Sequence, residues 1–258
     1  MDGAEMAVEI ESALGGRWRS LRGRNGREWL WRRDTPRRAY VRPGDAFVDA
    51  GGLEECLPTI AGVPDHGDAW SRPWTESDGG WMSVEGQEFR LARRIVTGRL
   101  VTAEYRLEAD PGWRFIWAGH ALVDLAEGAV VDLPRGNHIW VNAPGSSTPT
   151  VWPDYHDRDL SVLGPDDGSA LMIIVPWVDS ATVRDGDDAL TLSVAVEGQP
   201  YGISVWRNLG GFPEQAPYRN IGIEPMVGYC PTLSLAGPEE AAVVPPSGVV
   251  EWTLTIDG

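Results

Sequence analysis

Short runs of strand-forming residues, separated at close intervals by glycine and proline, most restrict how this chain can fold. The 258 residues include 31 glycines and 20 prolines, which interrupt regular helical hydrogen bonding. Many short strands with almost no helical periodicity predict an all-β sandwich or barrel. The strand-like runs occupy residues 89–95, 100–107, 115–125, 129–133, 139–141, 170–177, 190–196, 202–208, 218–225 and 249–256.

Local patterns near the two ends of the chain give more specific predictions. Asn25-Gly26 separates two alternating runs, 18–22 and 28–32, and this dipeptide favours a type I′ hairpin turn because both residues tolerate positive φ. Residues 238–243 carry the only hint of a short helix, with acidic side chains near its start. Neither a 20–50-residue repeat nor a shift in composition divides the chain, so we expect residues 1–258 to form a single domain.

The charge of the chain restricts the partners it can have. There are 38 acidic and 22 basic residues, for a net charge of −16, and such a surface repels nucleic-acid phosphates and anionic membranes. Every basic residue is arginine, which excludes lysine Schiff-base chemistry and phosphate binding by a P-loop lysine. We expect a small-molecule partner, and a protein that is a monomer or a homodimer.

Few residues could hold a metal or a cofactor. The four histidines form no HxH or HExxH motif, and the dinucleotide, nucleophile-elbow and Walker A patterns are absent. Cys56 and Cys230 lie far apart without CxxC spacing, which fits a reducing compartment. The first residues lack the features of a signal peptide, and no apolar run approaches the ~20 residues of a membrane span. We expect a cytoplasmic protein that uses neither metal nor cofactor.

Residues 64–74 combine a histidine, an arginine and two tryptophans between two prolines. This mixture suits neither a helix interior nor a strand with one apolar face, so it predicts a loop that binds a ligand. His66 and Arg72 can donate hydrogen bonds to a ligand, and Trp70 or Trp74 can stack on an apolar face. The alternative for His66 is a loop-capping role, and most of the 13 tryptophans must belong to the core.

A second pair of residues has the chemistry for proton transfer. His120 lies in a predominantly apolar strand and titrates near neutrality, so it can act as an acid or a base. Glu224 ends another apolar strand, where a buried carboxylate needs a partner or a task. The structural alternatives are a core imidazole bonded to a backbone carbonyl, and a salt bridge from Glu224 to Arg219 or Arg207.

Together these segments resemble the aldose 1-epimerase, or galactose mutarotase-like, family. The run Trp-Ala-Gly-His120 is similar to the strand that carries the catalytic histidine of that family, and Ile-Gly-Ile-Glu224-Pro is similar to its catalytic-glutamate motif. The loop with His66-Gly67, Arg72 and Trp74 is similar to its upstream sugar-contacting loop. The resemblance implies a galactose mutarotase-like β-supersandwich of mostly antiparallel strands.

The resemblance also implies a reaction, the interconversion of the α and β anomers of a sugar. Glu224 would take the proton of the C1 hydroxyl while His120 protonates the ring oxygen, and His66 with Arg72 would hold sugar hydroxyls or an anionic substituent. Two rivals are a non-catalytic carbohydrate-binding protein on the same scaffold and a polysaccharide lyase or hydrolase, because fold does not fix function.

The sequence departs from the galactose-type pattern of this family at two points. Gly119 stands where those members carry an asparagine before the second histidine. The aspartate that binds sugar hydroxyls in that branch has three candidates here, Asp154, Asp157 and Asp179, and the sequence does not choose among them.

Overall fold

Antiparallel strands form nearly all of the regular structure in the computed structural model, which describes residues 4–143 and 145–258. Helical structure in these residues is limited to 3-10 turns at Pro36–Tyr40, Ala69–Ser71, Asp78–Gly80 and Leu233–Leu235. The strands are β1 (Ala7–Glu11), β2 (Arg17–Arg22), β3 (Leu53–Cys56), β4 (Thr75–Glu76), β5 (Trp81–Glu85), β6 (Phe89–Thr97), β7 (Val101–Ala109), β8 (Arg114–Phe115), β9 (Trp117–Val123), β10 (Val130–Asp132), β11 (His138–Ala143), β12 (Ser146–Val151), β13 (Asp154–Tyr155), β14 (Arg158–Asp159), β15 (Ser169–Pro176), β16 (Ser180–Asp185), β17 (Asp188–Val196), β18 (Tyr201–Phe212), β19 (Tyr218–Val227), β20 (Ala242–Val243) and β21 (Val249–Asp257).

Two large sheets contain most of these strands. The larger sheet has the order β1-β2-β3-β9-β19-β18-β15-β11-β12-β13-β14, and the smaller has the order β10-β16-β17-β21-β7-β6-β5-β4. A separate pair, β8 with β20, lies outside both sheets. The prediction of an all-β sandwich of mostly antiparallel strands is confirmed.

Aromatic side chains and one buried ion pair join the two sheets. Tyr105 and Trp252, both on the smaller sheet, stack at 5.1 Å, and Trp117 of the larger sheet packs against Trp252 at 5.2 Å. Glu55 on β3 accepts hydrogen bonds from Tyr105 Oη at 2.9 Å and Trp117 Nε1 at 2.7 Å. The same carboxylate is paired with Arg93 of β6, and both charged side chains are completely buried. A charge pair therefore spans the interior, where neither partner can turn to water.

The N-terminal hairpin differs from its prediction in turn type and in pairing. Gly26 N–H donates to the Gly23 carbonyl at 2.9 Å, and Asn25 is not among the residues with positive φ, so the type I′ prediction is wrong. Residues 28–32 form isolated bridges rather than a strand. Glu28 bridges Arg22 at the end of β2, so the predicted hairpin is present but short, and β2 pairs over its length with β1. A flexible Gly26 with φ of 86° is sufficient to close the turn.

The predicted helix at 238–243 is also wrong, because its last residues form β20. Residues 238–240 form a turn, after which Ala242 pairs with Phe115. Two acidic residues near a helix start are too weak a signal to outweigh strand pairing. In the described parts of the chain, no helical segment has the length and hydropathy of a membrane span.

We expect Glu55→Gln to lower the free energy of unfolding by about 3–5 kcal/mol, because it leaves the Arg93 charge buried without a counter-ion. Chemical denaturation followed by tryptophan fluorescence measures the change. Glu85→Gln is the matched control, because it breaks an exposed pair with Arg90 and should cost less than about 1 kcal/mol. Equal losses for the two variants would contradict a structural role for the buried pair.

Candidate active site

His120 and Glu224 meet because their strands are neighbours. Strand β9 pairs antiparallel with β19, with Ala121 opposite Ile223. This register places His120, the residue before Ala121, beside Glu224, the residue after Ile223, on the same face of the sheet. His120 Nε2 lies 3.7 Å from Glu224 Oε1, which is close but longer than a hydrogen bond. The Glu224 side chain has no exposed surface and that of His120 is 7% exposed. The structure thus brings together the two residues predicted to transfer protons.

Neither side chain is satisfied by the protein around it. His120 Nδ1 and both carboxylate oxygens of Glu224 are buried without a hydrogen-bond partner. An unpartnered buried polar atom costs about 1–3 kcal/mol, and three of them on two side chains that line one cavity favour a site for a polar ligand. The two structural alternatives are therefore not supported. His120 Nδ1 has no backbone carbonyl as a partner. The arginines proposed for a salt bridge with Glu224 bond elsewhere, Arg219 to Gly164 and Asp166 and Arg207 to Ser169.

Burial shifts the two pKa values toward each other. Loss of water raises the pKa of the Glu224 carboxyl, and the nearby His120 only partly offsets this effect. Burial lowers the pKa of His120, with Glu224 opposing the shift and His66 adding to it. Both shifts favour the neutral pair, with Glu224 protonated and His120 unprotonated, while the attraction between the two groups opposes each shift.

Gly222 makes space for the Glu224 carboxylate. A Cβ atom at position 222 would lie 2.6 Å from Glu224 Oε1 and 2.9 Å from Trp206 Cβ. Gly222 and Glu224 are two residues apart on β19 and therefore share a face of the sheet. The glycine in the predicted glutamate motif is thus needed for room beside the carboxylate.

His66 lies at the rim of the same site. Its ring stacks on Phe47 at 3.7 Å and meets the His120 ring edge-on at 5.1 Å. Asp65 orients it through a 2.8 Å contact to Nδ1. Burial alone would raise the pKa of Asp65, but the hydrogen bond with His66 and the Phe47 N–H bring that pKa below its ordinary value. His66 has a φ of 57°, an uncommon conformation for a non-glycine residue and one found in ligand-binding loops.

Asp49 lines the cavity together with His66, His120 and Glu224, and it was not predicted from the sequence. Its Oδ2 accepts hydrogen bonds from Tyr218 Oη at 2.7 Å and Asn220 Nδ2 at 3.0 Å, and its Oδ1 accepts one from Gly51 N–H at 3.0 Å. The alternation of Phe47, Val48 and Asp49 was the available signal, because it places the aromatic ring and the carboxylate on one face.

The three aspartates considered from the sequence lie elsewhere. Asp154 and Asp157 belong to the β13–β14 hairpin, and Asp179 lies beside Trp177 at a different surface cavity. The cavity at His120 and Glu224 measures about 160 Å³. Its lining residues are Phe47, Asp49, His66, His120, Met172, Trp206, Phe212 and Glu224.

The structure does not bring Arg72, Trp70 and Trp74 to this cavity. Arg72 forms an ion pair with Asp68 at 2.7 Å and lines a separate cavity. Trp70 is fully buried and Trp74 is 4% exposed. Their indole N–H groups donate to backbone carbonyls within the loop. The loop was expected to supply four binding side chains, and of these only His66 faces the cavity; the tryptophans hold the loop in place.

Position 119 points away from the cavity. A Cβ atom on Gly119 would lie 3.3 Å from the Trp117 ring and 3.7 Å from Leu254 on the smaller sheet, so it would face the interior between the sheets. The missing asparagine therefore does not remove a group from the cavity itself. In the described residues, no cluster of three or more His, Cys, Asp or Glu side chains is arranged to hold a metal ion.

Comparison with solved structures identifies the fold. A protein provisionally described as an aldose 1-epimerase from Escherichia coli K12 aligns with a TM-score of 0.72 at 12% identity, over 99% of this chain and 96% of that one. A galactose mutarotase related enzyme from Lactobacillus acidophilus gives 0.67 at 13% identity, covering 100% and 95%. A provisionally described mutarotase from Salmonella typhimurium gives 0.66 at 18% identity, covering 100% and 88%.

These similarities show that the chain has the galactose mutarotase-like fold, as the motifs predicted. No protein-family model matches the sequence. A sequence search of curated proteins also finds no significant match. At such low identity the likeness extends to fold alone, and function must be argued from the site.

The raised pKa of Glu224 predicts a measurable effect of pH on stability. The folded protein holds the carboxyl proton more tightly than the unfolded chain, whose glutamate pKa is 4.5. The stability this contributes is complete below that value and is lost as pH rises through the higher folded-state pKa. We therefore expect Glu224→Gln to become relatively more stable with rising pH, by up to about 1.4 kcal/mol per pH unit.

The measurement compares the free energy of unfolding of His120→Asn with that of His120→Asn/Glu224→Gln across pH 4–9. Removing His120 from both proteins eliminates its own titration, and the contribution of Asp65 is common to both and cancels. A difference that stays flat, or that falls as pH rises, would show that the Glu224 carboxyl is not held in its neutral form.

Proposed function

We propose that this protein is an aldose 1-epimerase, a mutarotase that interconverts sugar anomers by acid–base opening and closing of the ring. The observation that carries the proposal is the buried His120–Glu224 pair, 3.7 Å apart, with unpartnered polar atoms at one small cavity. An acid and a base placed side by side are what hemiacetal opening requires.

In the proposed reaction Glu224 accepts the proton of the C1 hydroxyl while His120 donates a proton to the ring oxygen. The bond between C1 and the ring oxygen breaks, its electron pair stays on that oxygen, and C1 becomes an aldehyde. Both oxygens are bonded to C1, so groups 3.7 Å apart can contact them together. Rotation about the C1–C2 bond and closure with the roles reversed give the other anomer.

The environment of the pair supports this direction of proton movement. Ring opening starts from an ionised Glu224 and a protonated His120, a charge pair that mutual attraction stabilises and burial disfavours. While the sugar is open, Glu224 carries the proton and His120 is neutral, which is the state that burial favours for both groups. Asp49, His66 and Trp206 line the same cavity and are placed to contact sugar hydroxyls.

Cys56 and Cys230 are both free thiols, which supports the proposed cytoplasmic location.

His120→Asn and Glu224→Gln should each reduce the rate of mutarotation by at least ~100-fold, because each removes one of the two proton-transfer groups. Magnetisation exchange between the α and β anomeric protons of hexoses and pentoses measures that rate by NMR. Circular dichroism confirms that each variant is folded.

The controls are His138→Asn and Glu104→Gln, which change an exposed histidine and a part-exposed, ion-paired glutamate outside the cavity. Both should retain the wild-type rate. Near-wild-type activity of either site variant removes that residue from the mechanism. No acceleration for any sugar, despite measurable binding, identifies the protein as a carbohydrate-binding module instead.

Gly222→Ala tests the geometry without removing a catalytic group. The added methyl would lie 2.6 Å from the Glu224 carboxylate, which must then move away from His120. We expect kcat to fall by at least ~10-fold with a smaller change in KM, because misplacement of a reacting group affects chiefly the chemical step. Gly98→Ala is the matched control and should have no effect, because Gly98 has no positive φ and a Cβ atom there would make no close contact. Gly136 is unsuitable for this purpose because its φ is 89°.

A further inference from the structure

A row of side chains leads across the larger sheet away from the catalytic pair. Antiparallel register places Ser204 opposite Glu224 and Ile174 opposite Ser204. Trp140 then lies opposite Ile174, so all four residues share one face of neighbouring strands. Three strand spacings of about 4.8 Å separate Glu224 from Trp140, which corresponds to roughly 14 Å. That span exceeds a single sugar ring.

Ser204 and Ile174 are themselves buried, so the open surface is a groove beside this row, made of three adjacent cavities that share lining residues. Trp206 and Phe212 line both the catalytic cavity and the next cavity along the sheet. Asn142 lines that second cavity and a third one, which reaches Trp140. The second cavity measures 820 Å³, against 160 Å³ at the catalytic pair. A ligand held at His120 thus has space to continue in one direction.

The groove has the side chains that neutral sugars bind. Phe212 is 52% exposed and Trp140 is 43% exposed, and exposed aromatic rings in a groove suit the apolar faces of pyranose rings. Apart from histidine, the charged side chains identified along the groove are acidic: Asp49, Glu214, Glu224 and Glu240. An anionic substituent such as a phosphate would be repelled by these carboxylates.

We propose that the substrate is the reducing end of a neutral oligosaccharide. Its first ring occupies the cavity at His120 and Glu224, its second ring lies against Phe212, and the chain continues toward Trp140. The proposal rests on the mutarotase function for the reaction at the first ring, but the binding of further rings is a separate property with its own test.

The first test compares mutarotation of glucose with that of the neutral disaccharides maltose and cellobiose and the trisaccharide maltotriose. Wild-type protein should give a higher kcat/KM for the oligosaccharides than for glucose or for glucose 6-phosphate. In Trp140→Ala the ratio of trisaccharide to glucose kcat/KM should fall roughly twofold to tenfold, the range expected for one aromatic contact. Trp81→Ala, which removes an aromatic ring from the smaller sheet, is the matched control and should keep the wild-type ratio.

The second test separates binding from reaction. Methyl glycosides of the same sugars cannot open their rings, so their binding does not depend on catalysis. Saturation-transfer difference NMR on the wild-type protein should show saturation of the second-ring protons comparable to that of the first ring. This measurement does not require that a variant folds.

The outcomes distinguish the two proposals. Binding of the methyl oligosaccharides without acceleration of any mutarotation would refute the mutarotase function and leave the oligosaccharide groove standing. Mutarotation of glucose together with unsaturated second-ring protons and an unchanged ratio in Trp140→Ala would refute the groove alone. A preference for glucose 6-phosphate over every neutral sugar would also overturn the proposal.

Discussion

The pairing of β9 with β19 is the interaction on which the site depends. Both strands lie in the interior of an eleven-stranded sheet, and every residue of β9 is buried. Backbone hydrogen bonds fix the register, so His120 and Glu224 cannot move apart without breaking the sheet. A pair that needs close placement is thus carried by the most constrained part of the molecule, whereas the loop residues only complete the cavity.

The constraint has an energetic cost that the rest of the fold offsets. The His120–Glu224 pair keeps three polar atoms without partners in the interior. Two other buried carboxylates have partners: Glu55 accepts from Tyr105 and Trp117 and pairs with Arg93, and Glu54 accepts two 3.0 Å hydrogen bonds from Arg38. This difference between the hydrogen-bonded carboxylates of Glu54 and Glu55 and the unpartnered carboxylate of Glu224 is the observation that favours Glu224 as the candidate functional residue.

The strands and the proximity of His120 and Glu224 were predictable from the sequence, while most of the other cavity-lining residues were not. Alternation and glycine spacing locate β6, β7, β15, β17, β19 and β21 because each strand buries one face or both. His120 and Glu224 stand out as titratable groups in apolar runs. Arg72 and Trp70 did not follow their prediction because a loop rich in aromatic and charged residues can equally be a folded support. Asp49 was missed because its neighbours come from β19, far along the chain.

If the proposed function holds, Asp49 also limits which sugars the cavity can accept. Its oxygens receive hydrogen bonds from Tyr218, Asn220 and the Gly51 N–H, so the carboxylate is fixed in orientation and serves as an acceptor. A ligand atom beside it must therefore bring a hydrogen, as a free hydroxyl does. A deoxy or O-methylated position would leave the carboxylate facing carbon, and a site built around a hydroxyl rejects the analogue that lacks it. Under the proposed function, the cavity would therefore discriminate against such a sugar through an unfilled hydrogen bond rather than through a steric clash.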